Sequence, residues 1–282
     1  MDVTSPHHYV PPRSTIMHQI EPDHTLAFAR LDALAIYRRL VAHFGLLCGP
    51  EAASPWWPII SANPQLEMVI GAVLVQQTRW EMVEDAIARL HAAGLIDLAE
   101  LAQADAEHLA TLIYPCAFYR QKAQGLIALA QAIQQRYGDL AAMFRLPTTV
   151  LRAELLQLPR IGPETADVVM LYAGQHPVFV VDAYTRRIFA RLVPDRLSWE
   201  RASYMQVQQV IAAGLPADPL LMADFHAQLN ELAVRYCLVR PRCDGPPSRR
   251  VYSRQPGRNS FLDRHDGCPL RSICAWYRAS RG

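Results

Sequence analysis

Four cysteines fall within the last fifty residues, at Cys237, Cys243, Cys268 and Cys274, spaced as C-x5-C, then 24 residues, then C-x5-C. Four thiolates on one segment point to metal chemistry. Disulfides are a poor expectation for a chain read as cytoplasmic. Zinc accepts four thiolates, but its paired cysteines usually stand about two to four residues apart. The same donor set on a looped segment suits a [4Fe–4S] cluster, and the spacing leaves both metals open. Cys48 and Cys116 stand apart and read as ordinary thiols.

A second constellation lies upstream, in Leu158-Pro159-Arg160-Ile161-Gly162-Pro163-Glu164-Thr165-Ala166-Asp167. A helix is expected to end near Gln157 and a tight turn to follow, with Gly162 free to take a positive φ. Pro163 suits the first turn of a new helix, which runs to Gly174. Such a turn directs backbone N–H groups at one spot and makes an anion site, for which phosphate is the natural ligand. Taken without context, it is also a simple helix connection. Asp182 follows Gly162 by 20 residues, at the exit of the apolar run Val178-Phe179-Val180-Val181. Its plainest role is an N-cap. A carboxylate so placed can also face a sugar and stabilise the oxocarbenium-like state through which a glycosidic bond breaks.

The elements that must position these groups are helical. Met82, Val83, Ala86, Ile87 and Leu90 form an apolar stripe that stops at Gly94, and Leu126, Ile127, Ala130 and Ile133 form another that stops at Gly138. Gln206 to Ala213 ends at Gly214-Leu215-Pro216. The extended run 178–181 is too short to found a sheet, so an all-α fold is expected. With 282 residues, 51% hydrophobic and 19% charged, the chain has ample core for one or two domains. No apolar run approaches the roughly 20 residues of a membrane span, and no signal peptide is legible at the N-terminus. Eleven arginines against three aspartates give 233–282 a surplus of eight positive charges, so the rest of the chain carries −6 within an overall +2. A one-sided basic region is the footprint of a phosphate partner or a solvated tail. Of the 28 basic residues, only Lys122 is a lysine. Its segment reads as the start of a surface helix, remote in sequence from the hairpin and from Asp182.

In combination, the hairpin segment, the Val180-Val181-Asp182 that follows and the four cysteines resemble the helix-hairpin-helix DNA glycosylases of the endonuclease III superfamily, from about Leu31 to the C-terminus. The closer likeness is to its 3-methyladenine glycosylases, through Trp56-Trp57-Pro58, Ile70 to Trp80, Phe118 to Ala123 and Phe225-His226-Ala227. The resemblance implies an all-α, two-domain fold with a C-terminal iron–sulfur loop. A flexible extension covers 1–25. A six-helix barrel covers 63–179, with the hairpin at about 152–174. A cluster domain joins 26–62 to 180–282, with an inserted loop at 246–266. It also implies Asp182 as the catalytic carboxylate. Trp57, Pro58, Trp80 and Glu164 line the base pocket, with the two tryptophans sandwiching a flipped base. Gln77 fills the gap in the duplex, and Arg160, Ile161, Gly162 and Thr165 contact DNA. Cys237, Cys243, Cys268 and Cys274 ligate a [4Fe–4S] cluster.

The expected activity is monofunctional hydrolysis of alkylated purines in duplex DNA. The protein is expected to be a monomer, cytoplasmic and nucleoid-associated, of bacterial type, with no membrane partner. Three departures from the family pattern stand out. Arg160 occupies a usual glycine position, Glu164 replaces the nucleophilic lysine of bifunctional members, and the spacing between Cys243 and Cys268 is much enlarged. Ala72, where a glutamate is required, argues against adenine excision opposite oxidised guanine. A pyrimidine-directed glycosylase and a non-catalytic DNA-binding module are the alternatives.

Overall fold

The computed structural model describes residues 32–52, 56–249 and 266–281, so the expected extension 1–25 and most of the inserted loop 246–266 lie outside the described residues. Among the described residues there are α-helices and short 3-10 and π turns, and no strand. The helices are α1 (Ala33–Phe44), α2 (Pro64–Leu74), α3 (Trp80–Ala92), α4 (Leu98–Gln103), α5 (Ala106–Leu112), α6 (Tyr119–Tyr137), α7 (Leu140–Phe144), α8 (Thr148–Leu155), α9 (Pro163–Val168), α10 (Ala183–Leu192), α11 (Tyr204–Ala212), α12 (Pro219–Arg235) and α13 (Ala275–Ala279).

The glycine stops work as the sequence demands. Gly94 and Gly138 close α3 and α6 with φ of 72° and 82°, a conformation that only glycine adopts without cost. The stripe Val83, Ala86, Ile87 and Leu90 is buried, as are Leu126, Ala130 and Ile133. These faces meet in one apolar core built from α2 to α9. A second core joins α1 to Phe179, Val181, α10, α11 and α12 and takes in Cys268 and Leu270. The first helix therefore packs with the last third of the chain. A small third cluster of Leu171, Tyr172, Val180, Met222 and Ala223, with Trp56 and Trp57 against it, lies where the two cores meet.

The run 178–181 forms neither helix nor strand. The Val178 N–H donates to His176 O at 2.9 Å, and side chains take two of the other backbone groups. Gln208 Nε2 donates to Phe179 O at 2.7 Å, and the Val181 N–H donates to Tyr204 Oη at 3.2 Å. The same Gln208 amide donates to Asp167 Oδ2 at 2.7 Å, and Arg152 Nε pairs with Asp167 Oδ1 at 2.7 Å. Asp167 is fully buried and would be costly without these partners. One network thus ties the hairpin helix α9 to the strand-like run that delivers Asp182.

Candidate active site

Asp182 is the N-cap of α10. Its Oδ1 accepts from the Thr185 N–H at 2.6 Å, and its Oδ2 accepts from Asn230 Nδ2 at 3.0 Å. His226 Nε2 lies 3.4 Å from the same Oδ2. The Tyr172 hydroxyl lies 2.7 Å from His226 Nδ1 and 3.1 Å from Ala223 O. Asn230 Nδ2 also lies 3.3 Å from His226 Nε2. Burial pushes the Asp182 carboxyl up, but the His226 hydrogen bond and charge, with the Thr185 N–H, outweigh it and hold the group at about 2. Capping and ionisation are thus one arrangement.

Glu164 stands exposed in the first turn of α9. Partial desolvation of its carboxyl and the negative charge of Asp182 push it up to about 7, against the opposing influence of His226 and Arg186. Two carboxyls close enough to sense each other thus hold different protons near neutrality.

An aromatic wall leads away from this pair. His226 and Tyr172 have ring centroids 5.8 Å apart, Tyr172 and Trp57 5.4 Å, and Trp57 and Trp80 5.3 Å. Trp57 and Trp80 meet edge to face at 77°, so the two rings do not lie parallel with a slot between them. Trp57 presses on α2 where Gly71 leaves room: a Cβ there would lie 2.8 Å from the indole. Trp80 Nε1 donates to Glu84 Oε1 at 2.9 Å, and Pro58 is half-buried beside Trp57 in sequence.

The hairpin turn differs from expectation at two points. Gly162 has φ of −94° and is extended; the left-handed residue is Arg160, at 65°. The Arg160 side chain lies over Gly125 of α6, where a Cβ would approach its Cγ to 2.3 Å. Ile161 and Thr165 are buried, and the Ile161 N–H donates to Leu158 O at 3.3 Å. Nothing stands within 4 Å of a Cβ built on Gly162, which leaves that face of the turn open. Thr165 Oγ1 instead accepts from Gln76 Nε2 at 3.0 Å, and Gln76 Nε2 also donates to Arg160 O at 3.0 Å. Gln77, next to it, is exposed with φ of 54°.

Lys122 is not a surface residue. It is 1% exposed, and its ammonium donates to Leu74 O at 2.8 Å, Gln76 O at 2.7 Å and Thr78 Oγ1 at 3.0 Å. Helical periodicity places it on α6 but says nothing of the α2 turn above it.

The four cysteines converge beside α10. Each of Cys243, Cys268 and Cys274 has its thiol raised by burial and then by neighbouring thiols, Cys243 to about 11 and Cys268 to about 12. The Cys268 N–H donates to Cys243 O at 2.9 Å, which closes the loop across the insertion. Arg191 Nη1 reaches Cys237 Sγ at 3.3 Å and Leu238 O at 2.6 Å, and Cys274 Sγ lies 3.5 Å from Arg191 O. Among the described residues, no three His, Cys, Asp or Glu side chains are arranged around a single ion. The basic tail is not uniformly open to a partner: Arg235 is buried and paired with Glu231 at 2.7 Å.

His226, Asn230 and Tyr172 are the groups that spacing did not single out as a set. The signal for the first two is their i, i+4 placement on one face of α12. Tyr172 had no local signal, because its role comes from the meeting of the two cores.

Comparison with known proteins identifies the family. Residues 70–216 match the family described as HhH-GPD superfamily base excision DNA repair protein, a span that holds both the hairpin and Asp182. The chain is 35% identical over 214 residues to a protein of Methanocaldococcus jannaschii named as a DNA repair glycosylase, covering 75% of this chain and 91% of that one. It is 30% identical over 179 residues to endonuclease III of Thermotoga maritima, covering 63% and 77%. Among solved structures it is similar to the H. pylori 3-methyladenine DNA glycosylase bound to 1,N6-ethenoadenine, with a TM-score of 0.60 and 27% identity over 71% of this chain and 96% of that chain. A non-covalent endonuclease III–DNA complex shares the fold, with a TM-score of 0.63 at 20% identity over 87% of this chain and 95% of that one. The chain belongs to the HhH-GPD superfamily of base excision DNA repair proteins, and its family activity is that of a DNA glycosylase.

Proposed function

We propose that the protein is a monofunctional glycosylase that hydrolyses the N-glycosidic bond of alkylated purines in duplex DNA. The observation that carries this reading is Asp182, held ionised at the end of an aromatic wall. A base turned out of the stack lies against Trp57 and Tyr172, and a cationic alkylpurine gains from such a face. Asp182 then stabilises positive charge developing on the sugar and orients water. Glu164, protonated near neutrality, can donate to the departing base. The likeness to the H. pylori enzyme at 27% identity supports purine alkylation damage as the substrate class.

Lyase chemistry needs an amine that can form an imine. Glu164 cannot, and Lys122 is buried with all three N–H groups engaged. An intact abasic site is the expected product.

Four thiols on one segment suit a [4Fe–4S] cluster held by Cys237, Cys243, Cys268 and Cys274, and those of Cys243, Cys268 and Cys274 are near enough to the other thiols to be raised by them. Bound there, the cluster supplies a cross-link that orders the C-terminal segment against α10. We read a barrel over 63–179 and a second domain from 26–62 and 180–282; the two large cores follow this division except at Phe179, which packs in the second.

The test is a lesion panel. Release of 3-methyladenine and 1,N6-ethenoadenine, with thymine-glycol DNA untouched, is the expected result. Release from thymine-glycol DNA alone would move the chain to the pyrimidine class, towards which the endonuclease III relatives point. Binding without any release would make it a non-catalytic module.

A further inference from the structure

Four non-glycine residues among those described have positive φ, and three of them, Gln77 at 54°, Phe118 at 56° and Arg160 at 65°, share one set of bonds. Left-handed conformations in such residues are costly, and their gathering at one place marks a functional surface. Gln76 Nε2 ties the turn at Gln77 to Arg160 O, and the Ala117 N–H donates to Thr78 Oγ1 at 3.1 Å, which ties it to the Phe118 loop. Phe118 O in turn accepts from the Lys122 N–H at 2.9 Å. The Lys122 ammonium sits at the centre, on Leu74 O, Gln76 O and Thr78 Oγ1.

An ammonium has three donors and no acceptor. All three are used on a turn of five residues, Leu74 to Thr78, at the C-terminal end of α2, where carbonyls lack helical partners and favour a cation. A planar guanidinium cannot form this tripod. That is a physical reason for a lysine here in a chain whose other 27 basic residues are arginine.

We propose that Lys122 is a positioning residue for lesion recognition: its ammonium fixes the Leu74–Thr78 turn so that Gln77 is held in its left-handed conformation, ready to enter the gap left by a flipped nucleotide. The inference rests on reading Gln77 as the residue that fills that gap. The competing role is a helix-end clamp that contributes stability alone.

A double-mutant cycle separates the two. Binding of wild type, Lys122→Met, Gln77→Ala and the double variant is measured on a duplex holding a tetrahydrofuran abasic analogue and on the same duplex intact. Thermal melts verify folding. The losses expected from one or two hydrogen bonds are about three- to tenfold. Gln77→Ala weakens the analogue duplex by that factor and leaves the intact duplex unchanged. Lys122→Met reproduces most of this loss, and the double variant is no weaker than Gln77→Ala. Thr78→Val, which removes one acceptor of the tripod, gives a smaller loss with the same dependence on Gln77, and it carries the cycle where Lys122→Met does not fold. Additive losses, or equal weakening on both duplexes, overturn the positioning role while leaving Gln77 as the gap-filling residue. Wild-type binding of the analogue by Gln77→Ala removes that underlying reading and the proposal with it.

Discussion

Asp182 and Glu164 are both carboxyls near one histidine, yet one is held at about 2 and the other at about 7. Hydrogen bonds and the imidazole set the first; crowding and the charge of Asp182 set the second. Glu164 is depressed in acidity in the folded state, so its contribution to stability is complete below about pH 4 and is lost as pH rises through about 7. Glu164→Gln is therefore expected to melt higher than wild type at pH 8 and level with it at pH 4, by calorimetry. Release of 1,N6-ethenoadenine, a neutral leaving base, is expected to fall as pH rises through about 7 in wild type, and Glu164→Gln to lose that limb. A rate unchanged between pH 6 and 8 would remove proton donation from its role. Asp182 has the opposite sign: its stabilisation is present above about pH 4 and is lost as pH falls through about 2. Its position and capping role were legible in the sequence, because an aspartate after an apolar run and before a helix has few other uses. The His226, Tyr172 and Asn230 set was not, because it depends on two elements meeting.

At the scale of elements, the hairpin shows how a turn tolerates an unusual residue. Arg160 takes the left-handed conformation where glycine would be unstrained, and Gly125 on α6 leaves the space its side chain fills. The sequence placed the turn correctly through Pro163 but assigned the positive φ to Gly162, since local composition cannot reveal packing against a helix 35 residues away. Arg160→Gly and Arg160→Ala both lose the packing, so their difference isolates the backbone. Urea denaturation should find the glycine variant more stable by about 1 kcal/mol. Equal stabilities would mean that the turn relaxes when the side chain is removed. Lys122 belongs to the same lesson: its helix was readable, and its burial was not.

Across the whole molecule, the chain leaves the second core after α1, builds the first, and returns through the run 178–181 to finish the second. Helical periodicity could show each buried stripe but not which stripes share a core. No described helix is long and apolar enough to cross a membrane. The cysteine segment closes the return, with Arg187 Nε donating to Cys237 O at 2.8 Å and Arg191 caught among the thiols. Anaerobically purified protein is expected to be yellow-brown, with iron and acid-labile sulfide in equal amounts, and to lose thermal stability when chelator and oxidant strip the iron. About one zinc and no iron per chain would replace the cluster with a zinc site. In sequence, the hairpin and the cysteine segment bracket α10 and therefore Asp182. Single-turnover excision of 3-methyladenine from duplex DNA by wild type and Asp182→Asn tests that carboxylate most directly. Asparagine keeps an acceptor for the Thr185 N–H. The variant should fold and bind the duplex with near wild-type affinity while releasing base at least about 100-fold more slowly, and the wild-type strand should stay uncut until alkali is added. Near wild-type excision by Asp182→Asn would contradict this and leave Asp182 as a helix cap.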